Sequence, residues 1–69
     1  MKHIDARGLA CPEPVVLAQR GIKESPDGLT VAIDQFAAVE NIARFAKAHG
    51  YGVAASENGR ETTLTLTRA

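Results

Sequence analysis

Ala38, Ile42, Phe45, Ala46 and His49 stand at i, i+4, i+7, i+8 and i+11, a single apolar stripe at the 3.6-residue period. The segments on either side have the opposite habit. In "LTVAID", Leu29, Val31 and Ile33 alternate with Thr30, Ala32 and Asp34, and "YGVAAS" and "TTLTLT" alternate in the same way. A helix with one apolar face needs an apolar surface to lie on, and period-two strands supply one. The stripe therefore predicts a helix over Ala37 to His49 packed on a sheet. Glu40, Asn41, Arg44 and Lys47 take its wet side, and Gly50 stands where a left-handed cap ends it.

The remaining segments complete the order. "KHID" reads as a short strand, and "RGLA" as a loop. Pro12 to Lys23 reads as a first helix whose apolar residues are Val15, Val16, Leu17, Ala18 and Ile22. The Ser-Pro and Asp-Gly chemistry of "ESPDG" closes that helix. In "ENGR", Asn58-Gly59 is a strong hairpin signal, because both residues tolerate positive φ. The order is strand, helix, strand, helix, strand, strand. Two helices are too few to cover both faces of a small sheet, which predicts an α+β two-layer sandwich, βαβαββ, with both helices on one face of a four-stranded mixed sheet.

Sixty-nine residues make one domain, spanning 1–69. Eight Lys+Arg balance eight Asp+Glu, and no basic block stands out, so the phosphate attraction that nucleic-acid binding requires is missing. The aromatic residues are Phe36, Phe45 and Tyr51. Phe45 belongs to the helix stripe and Tyr51 opens a strand, which places both in the core rather than against bases. No apolar run approaches the ~20 residues that span a bilayer, and "MKHIDARG" has no apolar signal core. A secreted domain of this size usually carries several disulfides, whereas this chain has one Cys. Together these features predict a cytoplasmic protein with no membrane and no nucleic-acid partner.

That single cysteine lies in "DARGLACPEPVV", residues 5–16. With a helix starting at Pro12, Cys11 is its N-cap. Pro12 is tolerated at the first helical position, and Pro14 lies within the first turn, where the backbone N–H has no intrahelical partner to lose. Glu13, held between the two, is the strained point, because a residue before proline is pushed out of the helical region. The prolines thus make a stiff mount for a thiol at the positive end of a helix. That position lowers a thiol below its usual ~8.5, and Arg7 adds to the effect while Glu13 opposes it.

Other templates fit less well. There is no second Cys for thiol–disulfide exchange. His3 and His49 have no spacing that marks a Cys–His pair, and no local ligand pair marks a metal site; His49, near a helix end, reads as a packed or capping residue. No cofactor motif is present. A lone Cys also suits the role of small buried hydrophobe, so two functions stand side by side. One is a thiol loaded and unloaded by partner proteins. The other is an interaction or regulatory module in which Cys11 is not catalytic. Phe36, just ahead of the second helix, serves either as an exposed partner contact or as a hydrophobic staple.

"DARGLACPEPVV" resembles the signature of TusA-like, also called SirA-like, sulfur-carrier proteins, and the resemblance covers essentially the whole chain. It rests on Asp5, Arg7, Gly8, Cys11, Pro12 and Pro14, arranged as Asp-x-Arg-Gly-Leu-x-Cys-Pro-x-Pro-Val. The resemblance implies a βαβαββ sandwich. It also implies that Cys11 accepts sulfane sulfur as a persulfide from a donor such as a cysteine desulfurase and passes it to a downstream acceptor protein. Asp34 falls where the family commonly has an acidic residue, on a loop facing the motif, and Asp34 and Phe36 are the candidate partner contacts. "AAVENIARFAKAHGYGV" is closest to the amino-terminal domain of YedF-type proteins, linked with selenium metabolism, in which a second domain follows. "DQFAAVEN" departs from the Asp-Asp-Pro common in stand-alone carriers.

Overall fold

The computed structural model describes residues 2–10 and 12–68. Its elements are β1 (Lys2–Asp5), α1 (Glu13–Glu24), β2 (Gly28–Ile33), α2 (Phe36–Ala48), β3 (Tyr51–Asn58) and β4 (Glu61–Arg68). The strands form one sheet in the order β1-β2-β4-β3. β1 pairs parallel with β2, and the β2–β4 and β4–β3 pairs are antiparallel, so the sheet is mixed as the element order predicted.

The period-two pattern selects the covered face. Leu29, Val31 and Ile33 of β2 lie beside Leu66, Leu64 and Thr62 of β4, and all five of those aliphatic side chains are buried. Ala18 of α1 and Ala38, Ile42 and Ala46 of α2 close over them, which puts both helices on one face of the sheet. No polar or charged residue is buried among the described residues. The other face is left with Thr30, Thr63, Thr65 and Thr67, the alternate positions of the same strands.

β3 is antiparallel to β4, which is antiparallel to β2, so β1, β2 and β3 all point the same way. Each helix joins two of these strands and must run back against them. Both helices therefore begin at the same end of the molecule, where the loops after β1 and β2 also lie. Their C-terminal halves meet at the other end, around a groove of about 300 Å³ lined by Gln19, Ile22, Lys23, Phe45 and His49.

Several boundaries differ from the sequence reading. α1 starts at Glu13, and Pro12 (φ −100°, ψ 15°) takes the N-cap position predicted for Cys11. The reason is a turn ahead of the helix: the Glu13 N–H donates to the Ala10 carbonyl at 2.9 Å, and the Pro12 carbonyl accepts the first helical bond, from Val16 N–H at 3.1 Å. Pro14 is then the second helical residue, still within the turn that has no intrahelical N–H bonds, and it is buried. α2 begins at Phe36 with Gln35 as N-cap, and His49 is the C-cap, exposed rather than part of the buried stripe. The hairpin turn falls on Gly59-Arg60 instead of Asn58-Gly59, with Asn58 paired to Glu61. Of the two turn residues Gly59 alone has positive φ (66°), the pattern of a turn that needs glycine at its first central position alone.

Candidate functional site

The motif loop leaves β1 at Asp5 and is tied down from three elements. Ala6, fully buried, donates its N–H to the Ala32 carbonyl at 2.8 Å and so extends the parallel pairing one residue past β1. Arg7 then folds back on Asp5. Its backbone N–H reaches Asp5 Oδ1 at 3.1 Å, and its Nε and Nη2 donate to Oδ1 and Oδ2 at 2.8 and 2.9 Å, a two-pronged guanidinium–carboxylate pair. The remaining prong, Nη1, donates to Glu61 Oε2 at 3.1 Å and Oε1 at 3.3 Å, which links the loop to the first residue of β4. Gly8, at φ 79°, donates its N–H to Asp34 Oδ2 at 2.9 Å, linking the loop to the residue after β2. The left-handed φ explains why glycine stands at this position.

Arg7 is thereby enclosed by two carboxylates. Its hydrogen bonds hold the Asp5 carboxyl well below the usual carboxylate range, and those from Asp5 and then Glu61 raise the guanidinium above its ordinary value. This corrects one expectation. Arg7 does not supply free positive charge to the motif, because Asp5 and Glu61 together outweigh it. Its part is to fix the loop's path.

Cys11 itself, and with it the predicted cap and exposure of its thiol, lies outside the described residues. Its neighbours are described. Pro12 and Glu13 are exposed and Pro14 is buried, so the second proline anchors the start of α1 in the core while the first faces solvent. Glu13, Val16, Leu17 and Arg20 line a shallow hollow of about 240 Å³ beside this end of the helix. Phe36 is 77% exposed. A staple needs its apolar residue ahead of the N-cap, and that position belongs to Asp34, so Phe36 is an exposed side chain and not a staple. Asp34 and Phe36 sit at the end of the molecule where both helices begin, the end that carries the motif loop. The structure thus gathers Asp5, Arg7, Gly8, Pro12, Glu13, Pro14, Asp34 and Phe36 at one end.

The histidines take other roles. His3 Nδ1 and Thr30 Oγ1 share a hydrogen bond of 2.6 Å on the open face of the sheet. His49 Nδ1 donates to the Phe45 carbonyl at 3.0 Å, and its ring rests 4.4 Å from that of Phe45. His49 thus caps α2 at the end away from the motif. Among the described residues, no group of three His, Asp or Glu side chains is placed to hold a metal ion. No described helix is long and apolar enough to cross a membrane.

The residue that sequence reasoning missed is Glu61. It lies 54 positions from Arg7, and nothing in its local pattern sets it apart. Only the register of β4 against β2 brings it to the motif end.

Comparison with known proteins agrees with this geometry. The family model described as sulfurtransferase TusA matches residues 2–68. Over 59 residues the chain is 41% identical to the proposed sulfur carrier protein MJ0990 of Methanocaldococcus jannaschii, covering 83% of this chain and 79% of that protein. The crystal structure of a SirA-like protein from Desulfitobacterium hafniense superposes with a TM-score of 0.87 at 28% identity, covering 97% of this chain and 96% of that one.

Proposed function

This chain belongs to the TusA sulfurtransferase family and is a sulfur carrier, and from that premise we propose that the sulfur rides on Cys11 as a persulfide. Loading needs no oxidant. The Cys11 thiolate attacks the outer sulfur of a persulfide on the donor protein, the donor's S–S bond breaks, and the donor's cysteine leaves as a thiolate. A new S–S bond now ends in a terminal sulfur on Cys11. Unloading repeats the step, with an acceptor's nucleophile attacking that terminal sulfur and the Cys11 thiolate leaving.

The observation that carries this reading is the three-point fixation of the loop leading to Cys11, by Asp5 and Glu61 through Arg7 and by Asp34 through Gly8. A carrier thiol must be presented in the same place to two different partners. Immobilising the backbone before it and buttressing the helix after it with Pro12 and Pro14 does this. Glu13 borders the hollow beside the motif, and Asp34 and exposed Phe36 extend the same end into a surface a partner can grip. A cysteine desulfurase is the donor class that fits, the acceptor is a further sulfur-relay protein, and we place the relay in the cytoplasm. The domain, 1–69, either works alone or forms the amino-terminal domain of a longer protein.

The test is intact mass after incubation with a cysteine desulfurase and free cysteine. The chain is expected to gain one sulfur that reductant removes, and Cys11→Ser to gain none. Phe36→Ser is expected to load more slowly while remaining folded. A wild-type chain that stays unmodified, or a Cys11→Ser chain that still gains sulfur, overturns the reading. A selenium donor in the same assay shows whether selenium is carried as well.

A further inference from the structure

The two edges of the sheet are unlike. β1 is four residues long, and three of them are Lys2, His3 and Asp5, side chains that keep water and repel a neighbouring strand. β3 is eight residues long and paired to β4 at every position, without a bulge. It contains no proline and no lysine, and Gly52, Ala54, Ala55 and Ser56 are too small to shield its backbone. Natural sheets blunt a long edge by such devices, and on β3 Glu57, near one end, is the one charged side chain.

The pairing phase shows which groups are free. The turn at Gly59-Arg60 makes Asn58 and Glu61 a hydrogen-bonded pair, so bonding alternates back along the strand through Ser56, Ala54 and Gly52. At the far end, Arg68 turns its N–H away from β3 to the Asp27 carbonyl at 3.4 Å, which makes Tyr51 and Arg68 the non-bonded pair that this alternation requires. The N–H and C=O groups of Tyr51, Val53, Ala55 and Glu57 therefore point outward from the sheet.

We propose that β3 pairs antiparallel with β3 of a second copy of this chain, about a two-fold axis at Ala54, to make a dimer with one continuous sheet. In that register Val53 opposes Ala55 of the other copy and Tyr51 opposes Glu57, so all four outward residues of each copy are bonded. Shifting the register by two residues in either direction loses a pair. Charge favours the same arrangement. Tyr51 lies beside Arg68 on β4, so Glu57 of one copy falls in line with Arg68 of the other, about 10 Å away between backbones, within reach of two long side chains of opposite sign. The chain's formal net charge is zero, so the copies do not repel one another at long range. The assembly closes at two, because the outer edges are then the short, guarded β1 strands. The motif loops follow β1, so they stand at opposite ends of the dimer and leave both carriers open to partners.

Sedimentation between about 10 µM and 1 mM tests this, together with amide exchange followed by NMR. The wild-type chain is expected to pass from monomer to dimer over that range. Exchange at Val53 and Ala55 is expected to slow severalfold, while Ala54 and Ser56, already bonded to β4, stay unchanged. Ala55→Pro removes an outward N–H without breaking a β3–β4 bond and is expected to stay monomeric. A wild-type monomer throughout, or dimerisation that leaves exchange at Val53 and Ala55 unaffected, overturns the proposal. So does a folded Ala55→Pro chain that dimerises as well as wild type. The exchange measurement uses the wild-type chain and decides the matter even if that variant fails to fold.

Discussion

Arg7 shows how one side chain can organise a loop that has little core of its own. Its guanidinium is half in solvent, as are Asp5 and Glu61, so no single ion pair here contributes much stability. What the cluster supplies is direction, since a planar fork with two carboxylates in its prongs permits few loop paths. The titration of Asp5 follows from it. Its folded-state carboxyl lies well below the unfolded value of ~3.9, so the pair's contribution is complete above that pH and is lost as pH falls below it towards the folded value. The Asp5 carboxyl carbon in an NMR titration is therefore expected to stay flat down to about pH 3, and Arg7→Ala to bring its midpoint back up to ~3.9. A wild-type midpoint already at that value would show that the pair does not persist in solution. Asp5, Arg7 and Gly8 were legible as a motif because they are neighbours in the chain. Glu61 was not, because its role depends on strand register.

At the scale of elements, α1 is shaped by what it packs on. Gly21 lies in its interior, where Ala would raise helix propensity by about 1 kcal/mol. Here the packing wins. A Cβ at position 21 would stand 2.5 Å from Ile4 Cδ1 and 2.9 Å from Leu29 Cδ2, and Leu29 is fully buried with little room to retreat. Overpacking of that kind costs about 1–3 kcal/mol, so Gly21→Ala is expected to lower the denaturation midpoint despite its better propensity. A midpoint equal to wild type or higher would mean that Ile4, on the edge strand, simply moves aside. Helix propensity alone marks Gly21 as a weak point, since the close approach of β1 and β2 is invisible to local pattern. The hairpin shows the same limit in smaller form. Asn58-Gly59 signalled the turn, and the register then placed it one residue later, where a single glycine suffices.

For the whole molecule the governing fact is size. Stability of about 0.05–0.15 kcal/mol per residue gives roughly 3–10 kcal/mol for a chain of 69 residues. Ile42 is fully buried between the helix layer and the sheet, and truncating such a residue costs about 2–5 kcal/mol. Ile42→Ala is thus expected to lower Tm by at least about 10 °C by circular dichroism, and a loss of only a few degrees would show a core able to collapse around the gap. The sequence by itself determined the element order, the two-layer sandwich, the apolar face of each strand and the motif that marks the sulfur-carrier family. Each of these follows from periodicity or from residues close together in the chain. Only the tertiary structure decided that Glu61 shares Arg7 with Asp5, that Asp34 holds Gly8, that Phe36 is bare at the motif end, and that β3 is the long edge of the sheet. Those facts depend on strand order and register, which are set when the helices and strands bury one another's apolar faces, and no local stretch of sequence records that outcome.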